Sequence, residues 1–281
     1  MSEQVLVSTE WLAANLQRPH LRIVDIRGHV LPASAPPPHY FNHRADYDQA
    51  HIPGAVFVDW VHEITDPDDP RHAQVAKPER YAALMSRIGV GDETFVVAYD
   101  DAGGMFAARL WWSLNYYGHP RAAVLAGGWD QWVAENRPTT ADIPAITPTQ
   151  FVPRPDQALI RTSDQVLAGL ESDQRLIDTR SAAEFAGESS RAARGGHIPT
   201  AINLPRRALL GADGRLLPAE TLRRHFADAG VAPGDNVVFY CNAGVSASFG
   251  LLALRAAGIS GGSVYDGSWK AWGNDPAKPI E

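Results

Sequence analysis

The chain carries a single cysteine, Cys241, among its 281 residues. A thiol matters chemically because its thiolate is a strong nucleophile toward soft centres such as sulfur. Cys241 lies in NVVFYCNAGVSASFGLLALRAAG, residues 236–258. The apolar, β-branched run before it reads as a buried strand. ASFGLLALRAAG reads as a helix ending at Gly258. A cysteine between a strand and a helix start faces backbone N–H groups that have no partner within the helix. Those groups and the helix dipole favour an anion. They would promote the thiolate, or hold a persulfide or the oxyanions of a sulfur donor. The intervening residues Asn242, Ala243, Gly244, Val245 and Ser246 form the expected loop. Gly244 lets it curl tightly and Ser246 offers a hydroxyl. The competing reading is a buried cysteine that acts only as a small hydrophobe.

The elements that position this loop occur twice. IVDIR (23–27), AHIPGAVFVD (50–59), TFVVAYD (94–100) and LAGGWDQW (125–132) are followed, in the same order, by LIDTR (176–180), GHIPTAINLP (196–205), NVVFYC (236–241) and YDGSWKAW (265–272). The period is roughly half the chain, far longer than a solenoid repeat, and indicates two copies of one domain. Ser8 is positioned to cap a helix through Trp11 and Leu12, and Glu79 to Ile88 and Ala219 to Ala229 also have helical patterns. Strands alternating with helices predict two α/β/α domains, each with a mainly parallel sheet. Ligands of such folds gather at the carboxyl ends of the strands. The expected domains are residues 1–137 and 158–281. The proline-rich stretch 138–157 is expected to connect them as an extended segment.

Composition narrows the function classes. Hydrophobic residues make up 45% and charged residues 20%, and the formal net charge is −7. These values suit a globular chain and argue against a general nucleic-acid binder. No stretch approaches the roughly 18 uninterrupted apolar residues of a membrane span. The N-terminal residues show no basic leader before an apolar run. A lone cysteine excludes an intrachain disulfide and a cysteine-based zinc cluster, and it fits a reducing compartment. The expected location is the cytoplasm.

Cys241-Asn-Ala-Gly-Val-Ser246, preceded by HIPTAINLP and followed by YDGSWKAWG, resembles the second domain of the tandem rhodanese family. That family includes thiosulfate and 3-mercaptopyruvate sulfurtransferases. The first half, with HIPGAVFVD, YDDAGGMFAARLWW and LAGGWDQW, resembles the family's inactive first domain. The resemblance spans nearly the whole chain. It implies two rhodanese folds and a persulfide on Cys241, cradled by Asn242 to Ser246. The sulfur would come from a small anionic donor and pass to cyanide or a thiol, a protein thiol included. No metal or organic cofactor is implied. Asp100 stands where the second half has Cys241 and cannot form a persulfide. One active site is therefore expected, with Asp100 as a helix-capping carboxylate rather than a metal ligand or general acid.

The chain departs from the family at informative places. Thiosulfate-type members often carry a cation in the two positions after the cysteine, where this chain has Asn242 and Ala243. Mercaptopyruvate-type members place a serine two residues after the cysteine, partnered by a histidine matching His51. With Ala243 there, His51 and its counterpart His197 are expected to be structural. Glu184 replaces an arginine that contacts the mercaptopyruvate carboxylate. Arg191 and Arg194 are candidates to compensate as substrate-binding residues; otherwise they lie on a solvated loop. Asp178 and Arg180 are expected to form an internal ion pair. Arg109 and the tryptophans Trp111, Trp112, Trp129, Trp269 and Trp272 are expected to pack. A cysteine phosphatase is rejected, because Ala247 occupies the position of its phosphate-clamping arginine. Of the two donors, thiosulfate is slightly favoured, since Ala243 and Glu184 remove features of the other type. A persulfide relay with little turnover of small donors is the alternative.

Overall fold

The computed structural model describes residues 5–71 and 73–281. The chain forms two units, one of residues 5–68 and Val75–Asp156, the other of Gln157–Glu281 together with Asp69–Gln74. The first unit contains β1 (Leu6–Val7), α1 (Thr9–Asn15), β2 (Leu21–Asp25), β3 (Gly28–Val30), β4 (Tyr40–Asn42), α2 (Arg44–Gln49), β5 (Ala55–Phe57), α3 (Pro78–Arg87), β6 (Phe95–Tyr99), α4 (Met105–Tyr116), β7 (Ala122–Leu125) and α5 (Gly128–Ala134). The second contains β8 (Ile160–Arg161), α6 (Ser163–Gly169), β9 (Arg175–Asp178), α7 (Ala182–Phe185), β10 (Ile202–Asn203), α8 (Ala219–Asp228), β11 (Val237–Tyr240), α9 (Val245–Ala256), β12 (Ser263–Tyr265) and α10 (Ser268–Trp272).

The sheet orders are β1-β7-β6-β2-β5 and β10-β9-β11-β12-β8. Every pairing within these two sheets is parallel. Read from opposite edges, the orders superimpose, with β6 matching β11 at the centre. A central parallel strand is covered on both faces, which explains why FVVAY and VVFY are apolar without alternation. Val96 to Tyr99 and Val237 to Tyr240 are accordingly buried. Local signals hold where expected: the Ser8 hydroxyl accepts from Trp11 N at 3.1 Å and starts α1.

The repeat extends to buried polar chemistry. Asp25 pairs with Arg27, whose Nη2 also donates to the Ala50 carbonyl at 2.8 Å. Asp178 pairs with Arg180 at 2.6 Å, and that Nη2 donates to the Gly196 carbonyl at 2.9 Å. Tyr99 and Tyr240 each accept at 3.2 Å from the amide after a repeat histidine, Ile52 N and Ile198 N. Each ion pair thus ties its central strands to the following HIP turn. A buried pair of this kind stays only while both partners remain.

The proline-rich segment, expected to connect the domains over 138–157, packs along the first unit for most of its length. Up to Asp156 it belongs to the first unit. Thr140 bridges His51, Thr149 N donates to the Ser86 carbonyl, and Arg154 N and Asp156 N donate to Tyr117 and Tyr116 carbonyls. Phe151 is buried against Tyr81. The prolines keep the segment extended, and several of its amides, together with Phe151, find partners on the domain, while Ile143 and Val152 stay exposed.

Arg194 also lies in a structural place rather than the expected substrate-binding one. Its guanidinium donates to the carbonyls of Gly273, Lys278 and Trp272 at 3.2, 2.9 and 3.0 Å, and to that of Asp275. It clamps the chain after α10, so its donors are committed to backbone oxygens rather than to a substrate. No described helix is long and apolar enough to cross a membrane. We expect Arg194→Ala to destabilise the second unit by about 2–4 kcal/mol in urea unfolding. Its KM for an anionic sulfur donor should stay near the wild-type value; a large rise in KM would restore the binding role.

Candidate active site

Cys241 leaves the carboxyl end of β11, the central strand, and is 4% exposed. Gly244 follows in the left-handed conformation, φ +78°, and α9 starts at Val245. The helix therefore begins two residues before the expected Ala247. Val245 and Ser246 belong to its first turn, and the turn proper is Asn242, Ala243 and Gly244. The positive φ at Gly244 reverses the chain directly before the first helical amides.

The turn is held at both ends by a residue that sequence reasoning missed. Ser268 Oγ accepts from Cys241 N and from Gly244 N, each at 3.1 Å, and donates to the Tyr265 carbonyl at 2.7 Å. Ser268 is fully buried with φ +51°. The next residues complete the seat: Trp269 N donates to the Cys241 carbonyl at 2.9 Å and Lys270 N to that of Asn242 at 3.0 Å. Thr179 Oγ1 and Ser246 Oγ are 3.0 Å apart. Asn242 Nδ2 donates to Glu184 Oε1 at 2.7 Å. Among the described residues, no protein acceptor meets the amides of Ser246 and Ala247.

The first unit shows what that cradle accepts. Aligned on their left-handed caps Gly104 and Gly244, α4 and α9 match residue for residue over equal lengths. Phe106 and Ala107 then correspond to Ser246 and Ala247. Asp100, the counterpart of Cys241, accepts through Oδ2 from Phe106 N at 2.7 Å and Ala107 N at 2.8 Å. Through Oδ1 it accepts from Gly104 N at 2.7 Å and Ala102 N at 2.9 Å. Burial raises the Asp100 pKa, and the amide donors oppose that rise. A built-in carboxylate thus occupies the first unit's anion cradle.

The partner position changes in step. Gly128 stands where the second unit has Ser268, and its φ of +56° is nearly the same. A Cβ on Gly128 would lie 2.2 Å from the Asp100 carbonyl oxygen. The Gly104 amide needs no serine there, because Asp100 already accepts from it. Asp101, the residue after Asp100, is anchored by Gly28 N at 3.2 Å and His43 Nδ1 at 2.6 Å, much as Asn242 is anchored by Glu184. The difference between GGW and GSW in the repeat carried this signal.

Other expected residues take structural places. His51 is buried, stacks on Tyr47 at 4.0 Å and contacts the Tyr47 carbonyl at 2.7 Å. His197 stacks on Phe185 at 3.6 Å, and its Nδ1 contacts the Phe185 carbonyl at 3.0 Å. Arg109 is buried with its guanidinium 4.5 Å from the Trp112 ring centre, and Trp269 and Trp272 lie in the second core. Arg191 is half-buried in the segment before His197.

Two substitutions separate the halves. Asp100→Ala leaves buried amides unpaired and should cost about 2–4 kcal/mol in equilibrium unfolding. Turnover per folded molecule should remain within about twofold, because the change lies in the other copy of the loop. Ser268→Gly keeps a residue suited to the positive φ but removes the shared acceptor. The rate of sulfur uptake should fall about tenfold while the second unit stays folded. An unchanged rate would reduce Ser268 to a support of the fold.

Comparison with known proteins agrees with this geometry. The model of the rhodanese-like domain matches residues 8–135 and 162–275. The chain is 32% identical to the sulfur carrier protein TtuD of Thermus thermophilus, covering 99% of this chain and 96% of that protein. It is 31% identical to the thiosulfate sulfurtransferase of Rattus norvegicus, over 96% of this chain and 92% of the relative. The crystal structure of SseA from Escherichia coli, described among 3-mercaptopyruvate sulfotransferases, superimposes with a TM-score of 0.83 at 29% identity. That match covers 95% of this chain and 99% of the other. Two successive matches, the shared parallel sheets and the cysteine at the central strand end lead to one assignment: the chain belongs to the rhodanese family, in its tandem-domain sulfurtransferase form.

Proposed function

We propose that the second unit transfers sulfane sulfur through a persulfide on Cys241, and that the first unit is non-catalytic. The Cys241 thiolate attacks the outer sulfur of a small anionic donor. With thiosulfate, the slightly favoured donor over 3-mercaptopyruvate, the sulfur–sulfur bond of the donor breaks, sulfite leaves with the bonding pair, and Cys241 keeps the outer sulfur as a persulfide anion. Cyanide or a thiolate acceptor then attacks the terminal sulfur. The bond to Cys241 breaks and the thiolate is regenerated. Two such half-reactions give ping-pong kinetics.

The observation that carries this reading is the pair of amides at the start of α9. Their counterparts in the first unit grip a carboxylate, whereas Ser246 N and Ala247 N have no acceptor among the described residues. A persulfide at Cys241 supplies the matching negative charge. Asn242, Ala243, Gly244, Val245 and Ser246 shape that seat, and Arg191 is retained as a contact for the donor's charge. The mechanism uses no metal or organic cofactor. The single thiol suits a reducing compartment, and we place the protein in the cytoplasm on that ground. The partners are the donor and a cyanide or thiol acceptor, without nucleic acid or membrane.

A second reading is favoured by the likeness to a sulfur carrier protein. In it, Cys241 receives and relays the same persulfide to a protein thiol with little turnover of small donors. Incubation with thiosulfate followed by intact mass measurement tests the shared step. The chain should gain one sulfur atom and Cys241→Ser should gain none; uptake by the serine variant would sink the assignment. Steady-state thiocyanate formation from thiosulfate and cyanide identifies a catalyst, and uptake without turnover identifies a relay.

A further inference from the structure

One carboxylate performs two tasks beside Cys241. Ser181 caps the short helix α7, and Glu184 is its third residue. Glu184 Oε2 accepts from Ser181 N at 3.2 Å and from Ser181 Oγ at 2.8 Å, closing the capping box. Its other oxygen, Oε1, accepts from Asn242 Nδ2 at 2.7 Å. Asn242 is covalently next to Cys241, and its Oδ1 is buried with no partner among the described residues. The asparagine is therefore oriented by Glu184 alone among its side-chain contacts. A full negative charge thus rests against a turn whose other anchors are neutral hydroxyls and amides.

Resting on the sulfur-transfer reading above, we infer that Glu184 is a specificity-determining residue that positions the Cys241 turn through Asn242 and discriminates among sulfur donors by their negative charge. Positioning and discrimination use different properties of the side chain. The bond to Asn242 needs a hydrogen-bonding partner, which an amide also provides by donating to the open Asn242 Oδ1. The discrimination needs the charge. Because Glu184 bonds the residue next to Cys241, a donor anion seated at the α9 amides would lie within about one Debye length of its charge. Repulsion at such range is worth about threefold in binding for each unit of donor charge at low salt, and salt screens it. Thiosulfate, a dianion, is penalised more than monoanionic 3-mercaptopyruvate, so the Glu184 charge weighs against thiosulfate even though the same residue removes an arginine suited to mercaptopyruvate.

Glu184→Gln separates the two roles, since the glutamine oxygen serves the capping box while its Nε2 donates to Asn242 Oδ1 once that amide flips. With cyanide as acceptor, kcat/KM for thiosulfate should rise about tenfold and that for 3-mercaptopyruvate about threefold, chiefly through KM. Both gains should shrink at high salt. Glu184→Ala should instead lower kcat for both donors, and glutamine should rescue it. A second readout does not depend on sulfur chemistry. Alkylation of Cys241, the sole cysteine, by anionic iodoacetate relative to neutral iodoacetamide should rise about threefold in Glu184→Gln. Taking the ratio cancels any change in thiolate fraction. Equal gains for the two donors, or an unchanged alkylation ratio, would overturn the inference. Failure of Cys241 to take up sulfur would instead strike the functional reading and leave the alkylation ratio to decide the role of Glu184.

Discussion

The start of a helix presents amides that its own backbone cannot satisfy, and here two such starts abut the carboxyl ends of the two central strands. Both follow a left-handed glycine, Gly104 or Gly244, and in the first unit the second and third helical amides reach back to the last strand residue, Asp100. Whatever side chain stands there must accept hydrogen bonds or receive an anion. This constraint links the sheet order, the glycine caps and the chemistry. A parallel strand buried on both faces holds its end rigidly, and the helix that must follow supplies the field.

The two units meet the constraint in opposite ways. Asp100 brings its own charge and takes four amides, Ala102, Gly104, Phe106 and Ala107. Cys241 has no oxygen to offer, so Ser268 takes the Gly244 amide together with that of Cys241. On the persulfide reading, the helical amides are left for a charge acquired during reaction. The glycine at position 128 and the serine at 268 are thus consequences of which residue ends the strand. The first unit is a filled copy of a cradle left open in the second, and on the proposed reading it would be inert toward sulfur because it is filled as well as lacking a thiol.

Much of this was legible in the sequence because strong local physics wrote it there. Apolar β-branched runs before Asp100 and Cys241 marked the central strands, and the ordered tags marked the duplication. The Asp178–Arg180 pair was legible from its repeat partner in LIDTR and IVDIR. The less legible parts depend on contacts between segments distant in the chain. Nothing local in YDGSWKAW says that Ser268 reaches back to Cys241. Nothing near Arg194 says that the chain after α10 returns to cover it with carbonyls. Glu184 read as a lost arginine when compared with relatives; its contact to Asn242 emerges only when α7 is seen beside the turn. The helix start was misread by two residues, because Val245 and Ser246 resemble loop residues until Gly244 fixes the backbone that precedes them.

The same contacts explain a balance that charge counting alone misses. Around the Cys241 turn, attraction for an anion comes from the amide dipoles of α9, with Arg191 as the proposed cation; the Ser268 and Thr179 hydroxyls are spent on the Tyr265 and Tyr240 carbonyls. Dipoles act strongly at contact and fade quickly with distance, whereas the Glu184 charge reaches farther. A persulfide covalently held at the amides feels mostly the former. A donor still approaching, or a sulfite still leaving, feels relatively more of the latter. On the persulfide reading, the arrangement holds sulfur once it has been taken and weakly retains the anions that bring it or depart from it. A cationic turn would bind both more tightly and would slow the release that a two-step transfer requires.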